Sequence, residues 1–231
     1  TGRVGVNLVV PGPGLLNASA GLSTAFACGA KVLCLAGQIP SKLIGGGVGQ
    51  LHELADQPGA VASVTKWRGR VEQPEDAPAK VREAFRQLNT GRTQPILLEM
   101  APDIMATRAD VTLLDTQSDY ANMDPAPDPE LIEKAAALLG SASNPAIIIG
   151  GGIWGAEESL LALAEELQAP VYTSPHGHGA IDSRHYLAQN LMCAKEIWDS
   201  IDVVLSVGTR YQAPATWGKA EEKKLIRIDI D

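Results

Sequence analysis

Apolar residues in this chain cluster in two ways. Some form short, nearly continuous runs, at residues 4–10, 31–36, 95–99 and 146–149. Runs of this length and evenness predict strands covered on both faces, as in parallel sheets. Others return at helical spacing. Between residues 75 and 89, Ala77, Val81, Ala84, Phe85 and Leu88 fall on one helical face, and Gly91 supplies a stop. The small-residue segment 18–30 predicts a helix between the first two runs, and residues 61–67 a further strand. In the second half, Asp128 reads as an N-cap with Pro129 at the first helical position, opening a helix through about Leu139. After strand 146–149 come a triple-glycine turn, helix 156–168, strand 170–173, a Gly/His loop at 176–179, a helix near 191–200, and strands 202–207 and 225–230. This alternation predicts an α/β fold of two doubly wound parallel-sheet units with right-handed crossovers.

Residues 101–124 break the pattern. They carry Pro102, several aspartates and little periodicity, so the reading is a first unit at 1–100, a linker at 101–124 and a second unit at 125–231. A composition of 45% hydrophobic and 20% charged residues is that of a globular chain. The net charge of −8 comes with no basic stripe, which argues against nucleic acid and anionic membranes as partners. No apolar run approaches the roughly 20 residues that span a bilayer. No basic segment precedes an apolar core near residue 1, and the three cysteines, Cys28, Cys34 and Cys193, lack metal spacing. These features predict a cytoplasmic protein, with Cys28 and Cys34 as small buried hydrophobes.

Candidate chemistry concentrates in residues 9–17, Val-Val-Pro-Gly-Pro-Gly-Leu-Leu-Asn. They join the first strand to the first helix through a tight turn. Gly12 and Gly14 lack Cβ atoms, which lets a ligand approach the main chain, and the helix start turns its N–H groups toward the same place. Asn17 lies in the first helical turn. A turn whose glycines serve only strand–helix packing is the other reading. Residues 37–53 form a loop with Gly45, Gly46 and Gly47 in succession, mobile or adapting to a ligand. His176 and His178 flank Gly177, but no Cys or third His accompanies them, so no metal site is read. Trp154 and Trp217 stand near strand ends, where each walls a crevice or simply packs. No serine has nucleophile-elbow flanks, and the turn at 150–152 lacks the dinucleotide-binding glycine spacing.

Further motifs occur in a fixed order. They are Pro-Gly-Pro-Gly-Leu-Leu-Asn at 11–17, Ala-Gly-Gln-Ile-Pro at 36–40, Thr-Lys-Trp at 65–67 and Gly-Arg-Thr-Gln-Pro-Ile-Leu-Leu-Glu at 91–99. Ile-Gly-Gly-Gly at 149–152, Ser-Val-Gly-Thr-Arg at 206–210 and Arg-Ile-Asp-Ile-Asp at 227–231 follow. Taken as a set, they resemble the acetolactate synthase-like branch of the thiamine diphosphate-dependent enzymes. The resemblance implies that 1–100 is the rear of a pyrimidine-binding domain and 125–231 a Rossmann-like middle domain. It implies decarboxylation of a small 2-oxo acid followed by carbon–carbon bond formation, with thiamine diphosphate and magnesium as cofactors and a homodimer or homotetramer as the assembly. It also implies a fragment that is inactive alone. The family's activating glutamate lies upstream of the Gly-Pro-Gly turn and its Gly-Asp-Gly…Asn motif downstream of Asp231. Strands that have lost neighbours would then expose apolar surface, and the isolated chain would self-associate or leave its first section disordered.

Residue by residue, the resemblance places Pro13, Gly14 and Asn17 in the cofactor pocket. Counting forward from Gly37 puts the family's loop glutamine at Gln50, read as cofactor-binding. Counting back from residues 65–67 puts it at His52, read as the catalytic residue, since an imidazole both accepts and donates protons. Gly150, Gly151, Gly152, Gly208 and Arg210 match positions that hold a flavin in acetolactate synthases. The sequence departs from that pattern after His185, and again after Arg210, where Tyr-Gln-Ala-Pro follows. FAD is thus offered by one set of positions and withheld by the other. No residue is read as a metal ligand. Another thiamine diphosphate enzyme, an oxidase or a decarboxylase, and a non-catalytic nucleotide-binding module are the alternative readings.

Overall fold

A computed structural model describes residues 2–114 and 126–230. The chain divides into two compact units, residues 1–124 and 125–231. The first contains β1 (Gly5–Val9), α1 (Pro13–Cys28), β2 (Val32–Gly37), α2 (Gln57–Ala60), β3 (Trp67–Val71), α3 (Ala77–Asn89), β4 (Ile96–Met100) and α4 (Pro102–Ala106). Its four strands are parallel in the order β1-β2-β4-β3. Alternation along each strand separates two cores. Cys34, Ala36 and Leu97 meet Leu15 and Leu22 of α1 on one face, while Leu33, Ile96 and Leu98 meet Ala84 and Leu88 of α3 on the other. Burial on both faces is why β2 and β4 read as unbroken apolar runs.

β1 is different. Val9 packs toward α1, but Val6, Leu8 and Val10 are 60%, 78% and 57% exposed. An edge strand with a bare apolar face is a template for association. Residues 1–231 as an isolated polypeptide are therefore expected to self-associate, and Leu8→Lys to weaken that association. Sedimentation velocity reads both, and a monomer at every concentration would contradict the expectation.

Three expectations need correction. Residues 61–66 form no strand. A 3-10 turn occupies Ala62–Val64, and the strand begins at Trp67. Local hydrogen bonds bend the chain there: Thr65 Oγ1 donates to Val61 O (2.8 Å), and the Arg68 guanidinium donates to Ala62 O and Thr65 O. Within the span read as linker, residues 102–106 are helical. The Asp103 carboxylate accepts from Ser41 N (2.9 Å) and Ser41 Oγ (2.5 Å), and these bonds hold its carboxyl below the usual range. Ile104 packs against the α3-side core. Residues 115–124 of that span lie outside the described residues. Cys28 is exposed on α1, whereas Cys34 is buried as expected.

The second unit contains α5 (Pro129–Gly140), β5 (Pro145–Ile149), α6 (Glu157–Leu167), β6 (Val171–Thr173), β7 (Ala188–Asn190), α7 (Leu191–Glu196), β8 (Val203–Val207), α8 (Gln212–Ala215) and β9 (Lys224–Ile228). Its parallel sheet has the order β7-β6-β5-β8-β9. Ile147, Ile149 and Leu205 face Leu139, Leu160 and Ala164 of α5 and α6, while Ala146, Ile148 and Val204 face Ala194, Trp198 and Tyr211. Burial pushes the Tyr172 and Tyr211 hydroxyls up to about 12, with Cys193 adding to the effect at Tyr172. Asp128 caps α5 by accepting from Glu130 N (2.9 Å). No described helix is long and apolar enough to cross a membrane.

The loop entering β5 is tied to β8 by Asp202, whose carboxylate accepts from Ser143 N (2.7 Å) and Asn144 N (3.0 Å). Desolvation raises this carboxyl, but the backbone donors outweigh it and hold it below the usual range. A depressed carboxyl adds stability that is present above its unfolded value, about 3.9, and is lost as pH falls through the folded value. Asp202→Asn is therefore expected to lower the unfolding midpoint of the second unit at pH 6, and the gap to wild type should close as pH falls through the depressed folded value. Urea titrations across this range check the sign.

Candidate functional site

The first candidate site forms where the parallel strands of the first unit end. In open α/β sheets the carboxyl ends of the strands face the crevice where ligands bind. Residues 10–13 leave β1 there, residues 38–40 leave β2, and Ala101 follows β4. Pro13 starts α1, where its missing N–H leaves no bond unmade. Pro13, Leu16 and Asn17 share one helical face and are all exposed.

Gly12 and Gly14 are explained by the protein itself. A Cβ on Gly12 would lie 2.5 Å from the His52 carbonyl oxygen, and one on Gly14 would lie 2.5 Å from the Val10 side chain. Gly12 also adopts φ 58°, a left-handed conformation that glycine takes without strain. Gly12 thus lets the main chain of residue 52 approach the turn, and Gly14 lies close to the Val10 side chain.

The structure brings the 45–57 loop onto this turn. The main chain of His52 abuts Gly12. The Glu53 carboxylate accepts from Gly47 N and Gln50 N, both at 2.9 Å, and Glu53 N donates back to Gln50 O. The glycine-rich stretch is thereby folded on itself beside the turn. Gln50 is exposed and His52 half-buried.

Beneath the turn lies a buried polar knot that sequence reasoning missed. Gln57 is 1% exposed and Glu99 0%. Gln57 Oε1 accepts from Gly12 N (2.8 Å), and its Nε2 donates to Gly37 O (2.9 Å) and Glu99 Oε2 (2.8 Å). Arg70 Nε donates to Glu99 Oε1 at 2.5 Å. Gln38 Nε2 reaches Glu99 Oε2 at 3.5 Å while its Oε1 accepts from Ile39 N. A cavity of about 290 Å³ opens beside Arg70, lined also by Ser41, Ile44, Glu72 and Ala101. None of the residues singled out in the sequence lines it.

The second candidate site lies in the second unit, between β5 and β8, where the strand order reverses. Gly150, Gly151 and Gly152 leave β5, and Gly208 and Arg210 leave β8. Here the two main chains touch. A Cβ on Gly152 would lie 2.6 Å from Gly208 Cα, and Gly152 N donates to Gly208 O (3.1 Å). Gly177, between the two histidines, sits against the end of β5, 2.9 Å from Ile149 O when given a Cβ. His176 and His178 are exposed, and among the described residues no three His, Cys, Asp or Glu gather as a metal site would require. Trp154 Nε1 donates to His176 O (3.1 Å), and Trp217 packs edge-on against Trp198.

Comparison with known proteins assigns both units. Residues 1–60 match the thiamine pyrophosphate enzyme N-terminal TPP binding domain, and residues 132–231 the thiamine pyrophosphate enzyme central domain. A probable acetolactate synthase large subunit of Methanocaldococcus jannaschii is 33% identical over 246 residues, covering 100% of this chain and 41% of that protein. A probable 2-ketoarginine decarboxylase of Pseudomonas aeruginosa is 31% identical over 239 residues, covering 100% of this chain and 42% of that protein. A chloroplastic acetolactate synthase of Zea mays is 30% identical, with 100% and 38% covered. The chain thus spans about two fifths of the length of the curated relatives it matches. By the two domain matches and these relatives, the chain belongs to the thiamine pyrophosphate-dependent enzymes, in an acetolactate synthase-like branch.

Proposed function

We propose that this chain supplies the pyrimidine side of a thiamine diphosphate site in a 2-oxo acid decarboxylase and carboligase of acetolactate synthase type. One observation carries the reading. The segment matched by the N-terminal TPP binding domain, residues 1–60, holds both the exposed first turn of α1 and the loop packed against it. The donor set fits half of the cofactor. Pro13 and Leu16 offer apolar surface and Asn17 an amide on one exposed face, which suits a flat heterocycle with a hydrogen-bonding rim. No group of side chains suited to hold magnesium occurs among the described residues.

When bound, thiamine diphosphate supplies the electron sink that decarboxylation of a 2-oxo acid requires. The chain's own residues do the rest of what is proposed here. Pro13 and Asn17 orient the ring, the loop from Gly47 to Glu53 excludes water, and the His52 imidazole exchanges a proton at the reacting centre, Gln50 being the alternative residue for that place on the loop. Residues 1–231 alone are expected to show no turnover, because no group of side chains that could anchor a metal ion occurs among the described residues. Assembly as a homodimer or homotetramer belongs to the same proposal.

The test is product analysis with the full-length protein. Carbon dioxide release from a panel of 2-oxo acids that requires thiamine diphosphate and magnesium, with a 2-hydroxy-ketone or acetohydroxy acid as product, supports the reading. Release of carbon dioxide with only an aldehyde as product favours decarboxylation without ligation, the activity named for the 2-ketoarginine decarboxylase relative. Absence of cofactor-dependent release refutes both. Flavin absorbance of the same preparation tests whether FAD occupies the second unit.

A further inference from the structure

Within residues 11–13, Pro11 and Pro13 have no N–H, so Gly12 holds the single main-chain donor of the turn. Gly12 is buried, and its N–H finds its partner in Gln57, 45 positions along the chain. The Gln57 amide has one possible orientation. Gly12 N–H only donates and Gly37 C=O only accepts, so Oε1 must face the first and Nε2 the second. The same Nε2 is anchored by Glu99, which Arg70 and Gln38 hold in turn. One side chain thus ties the exits of β1, β2 and β4 together.

Gln57 also begins α2, whose start is capped by Asp56 accepting from Gly59 N (2.9 Å). The five-residue step from His52 to Gln57 therefore clasps the turn twice, by the His52 carbonyl over Gly12 and by the Gln57 amide beneath it. Chain conformation at the turn and position of the loop are set by one connection.

We infer that Gln57 is a positioning residue for the cofactor site: it fixes the main chain at Gly12, and through it the relation between the Pro13–Asn17 face and the Gln50–His52 loop. This rests on the thiamine diphosphate reading above. Gln57 touches neither cofactor nor substrate; it acts through the turn.

The test compares full-length wild type with Gln57→Met, which keeps the length of the side chain and removes its hydrogen bonds. Gln57→Asn, too short to span Gly12 and Glu99, serves where the Met variant does not fold. Leu88→Ala, a core truncation on the α3 side of the same unit, controls for lost stability. Residue-resolved hydrogen exchange reads the Gly12 amide without cofactor, and titration with thiamine diphosphate and magnesium reads affinity. The expected result is exchange at Gly12 accelerated at least tenfold and cofactor Kd raised at least tenfold in Gln57→Met, with Leu88→Ala near wild type in Kd. Unchanged Gly12 exchange, or unchanged Kd despite faster exchange, overturns the positioning role. Failure of wild type itself to bind thiamine diphosphate overturns the functional reading, and with it the positioning role.

Discussion

Arg70→Ala is expected to lower the stability of the first unit by about 3 kcal/mol. The ion pair it breaks is asymmetric: the Arg70 side chain is 29% exposed, Glu99 not at all. Removing the arginine leaves a carboxylate inside the sheet with, among the described residues, the amides of Gln57 and Gln38 to solvate it. Breaking a buried pair from one side typically costs 3–5 kcal/mol, and partial exposure of Arg70 places this case near the lower end. Arg70→Lys should recover only part, since an ammonium does not reproduce the Nε–H that meets Glu99 Oε1. The damage should also spread to the turn, because Glu99 anchors Gln57. Denaturant unfolding followed at Trp67, three residues away on β3, reads the loss. A change below about 1 kcal/mol would show that Glu99 is solvated without its partner.

Gly208→Ala is expected to destabilise the second unit by about 3 kcal/mol, from two sources. Gly208 sits at φ 55°, where a side chain costs of order 1 kcal/mol. Its new Cβ would also run into the main chain of Gly152, which cannot swing aside as a flexible side chain would. Overpacking of that kind costs typically 1–3 kcal/mol. Gly140→Ala is the comparison, since nothing lies within 4 Å of its Cβ position at the end of α5 and its φ is ordinary. It should be neutral or stabilising by up to about 1 kcal/mol. Equal effects at the two sites would mean that β5 and β8 are not held together by this contact.

The sequence disclosed the sheets better than their trimmings. Strands buried on both faces have to be apolar throughout, so β2, β4, β5 and β8 announce themselves. β7 does not, because Ala188, Gln189 and Asn190 lie at an edge and gain their structure from pairing with β6. β3 was displaced by several residues, because Thr65 and Arg68 bend the preceding segment with side-chain bonds that no apolar pattern records. The turn at 11–17 was legible from its prolines and glycines. The reason for its glycines was not, because the group that crowds Gly12 comes from residue 52.

Gln57 was invisible for a related reason. It lies in the polar stretch Asp56-Gln57-Pro58, and its burial arises from partners 45, 42 and 20 positions distant. Glu99 left half a signal. A charge closing the run Ile96-Leu97-Leu98 demands a buried partner. The pairing of β3 with β4 sets Arg70 opposite Glu99.

Hydrogen exchange of the full-length protein, with and without thiamine diphosphate and magnesium, asks the central question most directly. Added protection is expected in residues 10–20 and 45–57, and none in 145–155 or 205–212. Protection confined to the second unit, or a first unit indifferent to the cofactor, would contradict it.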